Sequence, residues 1–279
     1  MSASRLASGK GHRDENFPVA SWLIARRHRA PILTFYRFAR AADDIADHPT
    51  APAEEKLHLL EEMDRTLTGE LDSAPEALAL RRVLAERGLG AQHPLLLLEA
   101  FRRDVTRLRY ADWDELMDYC RYSAMPVGRF VLDVHGEDRA TWPASDALCA
   151  ALQVINHLQD CGKDYRALNR VYIPRDLFDD VEALGGTKAT PGLLQAVRAM
   201  AQRTMVLLAG SRPLAGQIRD RRLALEVSVI RTLAEDLNQR LMRRDPLSER
   251  VHHRKFELMP LALAAFMGFL RRRQNSRVS

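Results

Sequence analysis

Cysteine is scarce in this 279-residue chain: Cys120, Cys149 and Cys161 are odd in number and lack metal-ligand spacing. Free thiols in a reducing compartment are therefore expected, not a disulfide framework. No apolar stretch reaches the roughly 20 residues that a bilayer-spanning helix needs. The longest, "LMPLALAAFMGFL" at 258–270, ends on Arg271, Arg272 and Arg273. The opening "MSASRLASGKGHR" has no apolar h-region, so nothing in it indicates secretion. No β-branched alternation is long enough to build a sheet, and no internal repeat, low-complexity tract or glycine-rich dinucleotide fingerprint is found. A net charge of +5 and a pI near 9.3 suit an anionic partner. Nucleic acid is not expected, because no aromatic-interleaved basic motif or recognition helix accompanies the charge.

What is present is helical patterning throughout. A hydrophobic fraction of 46% fills a sizeable core. Breaks at 48–53, 87–94, 135–143, 183–192, 209–216 and 243–248 mark off eight to ten helices. One piece, "ALNRVYIPRD" at 167–176, reads instead as a short extended flap or loop. The expected fold is all-α, many helices around one centre, with residues 1–14 a flexible N-terminal segment and 15–279 a single domain. The apolar run at 258–270 is read first as a buried last helix. The other reading is an interfacial membrane contact anchored by the basic tail. Localisation follows: cytoplasmic, or peripheral at the inner face of the membrane.

Two helices turn acidic at one end. In a helix opening near Pro31, residues four apart share a face, so Phe35, Ala39, Asp43 and Asp47 form a row that starts apolar and ends in carboxylate. Asp44 sits on a neighbouring row, one step below Arg40. A helix near 144–165 repeats the design with Leu148, Leu152, Asn156, Asp160 and Asp164. Buried carboxylates need cations or hydrogen bonds. Two such rows facing one another would make an oxygen-lined mouth over an apolar shaft, a donor set suited to Mg²⁺ and a phosphate-bearing ligand. Either motif alone is commonly a solvated helix face; the coincidence of both in one all-α chain favours function.

At these residues the chain resembles the squalene/phytoene synthase family. "YRFARAADDIAD" (36–47) resembles the family's first aspartate-rich motif, and "ALQVINHLQDCGKDYRALNRVYIP" (151–174) the second. "DWDELMDYCRYSAMPVGR" (112–129) is similar to its middle helix, where small residues line a prenyl channel. "ENFPVAS" (15–21) and "PVGR" (126–129) most resemble the hydroxysqualene synthase branch of hopanoid biosynthesis. The resemblance implies an isoprenoid-synthase helical bundle around a central apolar cavity. It also implies Mg²⁺-dependent conversion of presqualene diphosphate to hydroxysqualene, a carbon–oxygen lyase reaction. Head-to-head condensation of two prenyl diphosphates is the alternative. Coupling to other hopanoid-pathway enzymes would be in keeping with that role.

The same resemblance distributes the roles. Asp43, Asp44, Asp47, Asn156, Asp160 and Asp164 match metal ligands. Tyr36, Arg40, Tyr119 and Tyr172 match the reacting centre, and Arg40 and Arg170 are placed for the diphosphate. Arg40 paired with Asp44 along the helix, and each tyrosine as a core residue with one hydrogen bond, are equally consistent with the pattern. Asn16, Phe17, Ala124, Val127, Gly128, Leu152 and Gln153 match substrate-binding positions, although tight helix packing explains the small ones as well. Met125 stands where that branch is expected to carry a polar residue.

Overall fold

The first helix, α1, spans Arg26–Ala46 in the computed structural model, which describes residues 24–275. It begins five residues before Pro31, the residue expected to open it. Proline removes the N–H that would bond the carbonyl four residues back. Here that carbonyl, on Arg27, accepts from Arg87 Nη2 at 2.7 Å, so the helix runs through the proline with its acceptor satisfied.

Three further helices, α2 (Ala53–Thr68), α3 (Pro75–Arg87) and α4 (Gln92–Thr106), pack with α1 around Phe38, Ile45, Leu60, Met63, Leu80 and Leu98. Each large side chain buried there contributes roughly 1.5–3 kcal/mol by leaving water. The second group is α5 (Trp113–Ser123), α6 (Met125–His135), α7 (Trp142–Leu168), α8 (Pro191–Gly210), α9 (Leu214–Gln217) and α10 (Arg221–Leu241). Their core is built on Leu116, Val154, Ile155, Leu158, Leu193 and Val197. Phe130 of α6 stacks on Phe35 of α1 with ring centroids 4.0 Å apart, joining the two groups.

Eleven α-helices and no strand occur among the described residues, one helix more than the breaks in the sequence marked off. The expected middle helix at 112–129 is two. Pro126 has no N–H to bond the Tyr122 carbonyl four residues back, and the chain kinks at Ala124 (φ −122°, ψ −49°) between α5 and α6. The expected flap at 167–176 starts two residues late, because α7 continues to Leu168. Asn169 then takes the left-handed conformation (φ 53°) and ends the helix. Residues 169–176 are extended or turn, and Val171 and Arg175 donate backbone N–H groups to the carbonyls of Leu108 and Tyr110.

The last helix, α11 (Lys255–Asn275), packs along α10, and Arg240 bonds Glu257 across that seam. It is not the buried helix expected of its apolar sequence. Phe256, Met259 and Leu263 are 70%, 79% and 61% exposed, and Phe266 and Met267 continue the exposed stripe at helical spacing. Ala265 is its buried apolar residue. α10 covers one side of α11 and leaves the other uncovered. No helix among the described residues is long and apolar enough to cross a membrane.

Candidate active site

Between the two helix groups lies a cavity of about 550 Å³. Its shaft is apolar: Ile32, Phe35 and Ala39 of α1 face Leu148 and Leu152 of α7 and Val227 and Ile230 of α10. Toward the C-terminal ends of α1 and α7 the wall changes character. Asp43, Asp47, Asp104 and Asp164 line that end, with Arg40 and Arg170 as the cations among them. The α1 row anticipated from sequence lines the cavity throughout, whereas of the α7 row only Leu148, Leu152 and Asp164 do. Both start among apolar residues and end in carboxylate.

Arg170 holds this end together. The left-handed turn at Asn169, fixed by Arg109 Nη2 on its side-chain oxygen at 2.7 Å, sends the chain back toward α1. Arg170 then bonds Asp47 at 2.5 Å, the Ala46 carbonyl at 3.1 Å and the Asp104 carbonyl at 2.9 Å. Burial works against its charge, but Asp104, Tyr172 and Asp47 more than offset that and keep the guanidinium protonated. Arg40 is the second cation, 2.9 Å from Asp43 and 2.6 Å from Asp44. Arg40 pairs within its own helix, as one reading of the sequence has it, and also lines the cavity.

Negative charge is under strain here. Burial, then Asp47, raises the Asp43 pKa to about 7 against the pull of Arg40. About a third of the Asp43 side chain is open, but it opens into the cavity, where protein walls limit its hydration. Asp164 is likewise raised to about 7 by burial, then by Asp160 and further by Asp47. Asp47 thus raises the pKa of carboxylates on both helices. Among the described residues no three of these aspartates bring oxygens within 4.8 Å of one another. They do not close into a ligand cluster on their own; Mg²⁺ in general is bound by one or two carboxylates together with phosphate oxygens and water. The donor set is all hard oxygen, and the deficit of cations is the kind a divalent ion would relieve.

Other expected residues divide. Tyr36, Val127, Gly128, Leu152 and Gln153 line the cavity. Gly128 also permits close packing: a Cβ there would lie 2.5 Å from Ser145 Oγ and from Cys149 Sγ of α7. Ala124 is buried at the α5–α6 break, outside the cavity wall. Asp44, Asn156 and Asp160 are also outside the wall; Asp160 lies 3.8 Å from His252 Nε2 and 3.9 Å from Lys163 Nζ. Asn16 and Phe17 fall outside the described residues.

The structure adds residues that the motifs did not mark. Asp104 of α4 is buried and accepts the hydroxyls of Tyr119 at 2.9 Å and Tyr172 at 3.0 Å. Both tyrosines are therefore occupied at their hydroxyls, and their rings pack in a cluster with Tyr110 and His157 at the cavity wall. Burial pushes the Asp104 pKa up to about 6 although Arg170 and the two hydroxyls pull it down. His157 stacks on Tyr172 with centroids 3.4 Å apart and takes a hydrogen bond from the Gln153 amide. Burial, then Arg170, lowers its pKa to about 3, so it is neutral. Glu226 of α10 enters the opposite wall. A sequence signal for Asp104 existed: Leu97, Ala100 and Asp104 are buried on α4, again an apolar face ending in aspartate.

An all-helical bundle with an apolar shaft and an acidic, arginine-tied mouth defines a class of ligand, long and greasy with an anionic head. A model of the squalene/phytoene synthase family matches residues 11–257, and the chain belongs to that family. It is 58% identical to a hydroxysqualene synthase of Rhodopseudomonas palustris over 98% of this chain and 94% of that relative. A hydroxysqualene synthase of Zymomonas mobilis is 55% identical over 97% and 93%. Among solved structures, a squalene synthase of Alicyclobacillus acidocaldarius superposes with a TM-score of 0.71 at 33% identity, covering 86% of this chain and 92% of that one. A dehydrosqualene synthase at 18% identity shares the fold with a TM-score of 0.76, covering 96% of each chain.

Proposed function

We propose that the chain acts on prenyl diphosphates and, specifically, converts presqualene diphosphate and water to hydroxysqualene and diphosphate. The observation that carries this reading is the single cavity, apolar along its shaft and lined at one end by four aspartates and two arginines. Near full-length identity of 55–58% to proteins named hydroxysqualene synthase supports the choice within the family.

In this reading the carbon–oxygen bond to diphosphate breaks with its electron pair leaving on the phosphate. Water then adds to the rearranged cation and gives up a proton. Mg²⁺, held by Asp43 and Asp47 on α1 and by Asp164 on α7, would neutralise charge on the departing diphosphate. Arg40 and Arg170 supply fixed positive charge beside it and suit phosphate oxygens. Asp104 keeps the rings of Tyr119 and Tyr172 in place at the cavity wall, where with Tyr36 their π electrons suit the cyclopropylcarbinyl cation left by diphosphate. The apolar wall orients the two prenyl arms and limits where water can enter.

The test is mass identification of the product formed from presqualene diphosphate and Mg²⁺, with and without NADPH. Hydroxysqualene in both arms supports the proposal. A product that requires NADPH would replace water by hydride as the capturing group. Product from farnesyl diphosphate alone would move the reaction to head-to-head condensation, the alternative.

The exposed side of α11 supports a second element of the reading, peripheral contact with an anionic bilayer at its inner face. Phe256, Met259, Leu263 and Phe266 form an apolar stripe; Arg254 is exposed beside it, and the sequence continues with Arg271, Arg272 and Arg273. Apolar burial combined with basic flanks is the composition that binds such a surface. Flotation with phosphatidylglycerol vesicles should carry the protein upward, while phosphatidylcholine vesicles should carry little. Equal flotation of the Met259→Glu/Leu263→Glu double variant would remove α11 from the contact.

A further inference from the structure

At the other end of α1 the structure brings together three side chains that the reaction does not use. His28 in the first turn of α1, His135 at the last residue of α6 and Asp220 at the N-cap of α10 each offer a ligand atom, and these atoms lie within 4.8 Å of one another. We propose that this trio is a binding site for one divalent transition ion of the Zn²⁺ type, distinct from the acidic mouth. His28 and Asp43 are fifteen residues apart on one helix, which is about 22 Å along its axis. The proposal does not rest on which prenyl diphosphate the enzyme takes.

The site is built, not merely crowded. The two imidazoles lie 4.1 Å apart between centroids. His28 Nδ1 and His135 Nε2 are buried with no hydrogen-bond partner among the described residues. Such orphaned polar atoms are costly unless something satisfies them. On His135 the other nitrogen, Nδ1, donates to the Val131 carbonyl at 2.8 Å, which leaves Nε2 as a free lone pair. That arrangement is the usual outer support of a metal-binding histidine. Asp220 caps α10 through Oδ1, which accepts from the N–H groups of Arg222 and Leu223, and leaves Oδ2 for a ligand.

The backbone that carries Asp220 is clamped to the backbone beside His135. The Glu137 carboxylate accepts the N–H of Arg219 and of Asp220, each at 2.8 Å, and Arg219 Nη2 donates to the Gly136 carbonyl. The trio therefore joins three elements distant in sequence. Two imidazoles and one carboxylate are a donor set for Zn²⁺ and not for Mg²⁺. Burial lowers the His28 pKa, so its ring is neutral and able to ligate. One contact opposes the ion: Arg27 Nε donates to His28 Nε2 at 2.8 Å. For His28 to coordinate through Nδ1 its proton must sit on Nε2, so the exposed Arg27 side chain swings away as the ion enters.

The experiment uses the full chain, stripped with chelator and desalted, then titrated with Zn²⁺ and followed by calorimetry and thermal melting. One equivalent should bind to this site, and Tm should rise by about 5 °C at a hundredfold excess over Kd. His135→Gln should weaken that affinity at least tenfold. Asp220→Ser, which keeps an N-cap acceptor but removes the carboxylate, should do the same. Asp43→Asn should leave it unchanged. Co²⁺ bound to the unsubstituted chain should show a ligand-field band without thiolate charge transfer, which separates this site from the cysteines even if a variant fails to fold. Absence of uptake by the unsubstituted chain overturns the proposal. So does uptake that both variants retain, or a thiolate band.

Discussion

The two ends of α1 differ in one respect that decides their chemistry. At the C-terminal end every donor is a carboxylate, and four aspartates in the wall share two arginines. At the N-terminal end the donors are two imidazoles and one carboxylate beside arginines that oppose a cation. The first set is hard and incompletely neutralised. The second is borderline, with its ligand atoms within 4.8 Å of one another. On the two proposals above, one helix would offer two places for a divalent ion with opposite preferences, and each could be broken without the other.

The largest expected effect is at the carboxylate end. Asp43→Asn should lower turnover of presqualene diphosphate about a thousandfold, roughly 4 kcal/mol of transition-state stabilisation. The same change removes a carboxylate whose folded pKa is raised, so Tm without metal should hold or rise. The Zn²⁺-dependent shift in Tm should survive in this variant. Near-normal turnover in Mg²⁺ would take Asp43 out of the site and leave the comparison without its first half.

Arg170→Ala ranks next. It leaves Asp47 and Asp104 without their buried partner and frees two carbonyls, so the fold should lose about 3–5 kcal/mol in denaturant unfolding. The loss should be largest above about pH 6, where Asp104 is ionised. A loss under 1 kcal/mol would mean that the mouth is not held shut by this residue.

Which of this could be read from sequence depends on how each residue acts. Asp43, Asp47 and Asp164 announced themselves, because a carboxylate ending an apolar helical row contradicts the pattern around it. Asp104 obeys the same rule on α4, but a single aspartate after "LLLLEAFRR" has no partner motif in sequence, and its role comes only from tyrosines 15 and 68 positions away. His28 and His135 were invisible for the same reason: their meaning is a distance across three helices. The helices themselves followed from periodicity and breaks, while their ends did not. Pro31 sits inside α1 because a distant arginine satisfies the carbonyl that it frees, and α11 is exposed because one neighbouring helix covers only one of its sides.

Asp104 gives a smaller and pH-resolved test of the mouth. Its pKa is near 4 when unfolded and about 6 when folded, so between those values the unfolded chain holds fewer protons than the native one. Stability should therefore fall as pH rises from about 4 to 6, then level off with respect to this group. Asp104→Asn, which keeps the shape and an acceptor, should flatten that part of the pH profile by about 1–3 kcal/mol in unfolding free energy. An unchanged profile would place the titrating group elsewhere, with Asp43 and Asp164 the next to be substituted.

The finest distinction concerns the arginine at the opposite end. Arg27 lowers the His28 pKa and donates to its Nε2, so it competes with any cation for the same ring. Because Arg27 is exposed, its charge acts through a screened medium, and its removal is worth on the order of 1 kcal/mol. Arg27→Gln should therefore tighten Zn²⁺ binding two- to tenfold and raise the His28 pKa, read by calorimetry and by NMR titration of the imidazole. Turnover should not change, since the substitution lies about 24 Å along α1 from Asp43. Weaker binding in Arg27→Gln would mean that the guanidinium supports the histidine pair. The N-terminal end of α1 would then be a neutral hydrogen-bonded junction, and the contrast between the two ends would reduce to charge density alone.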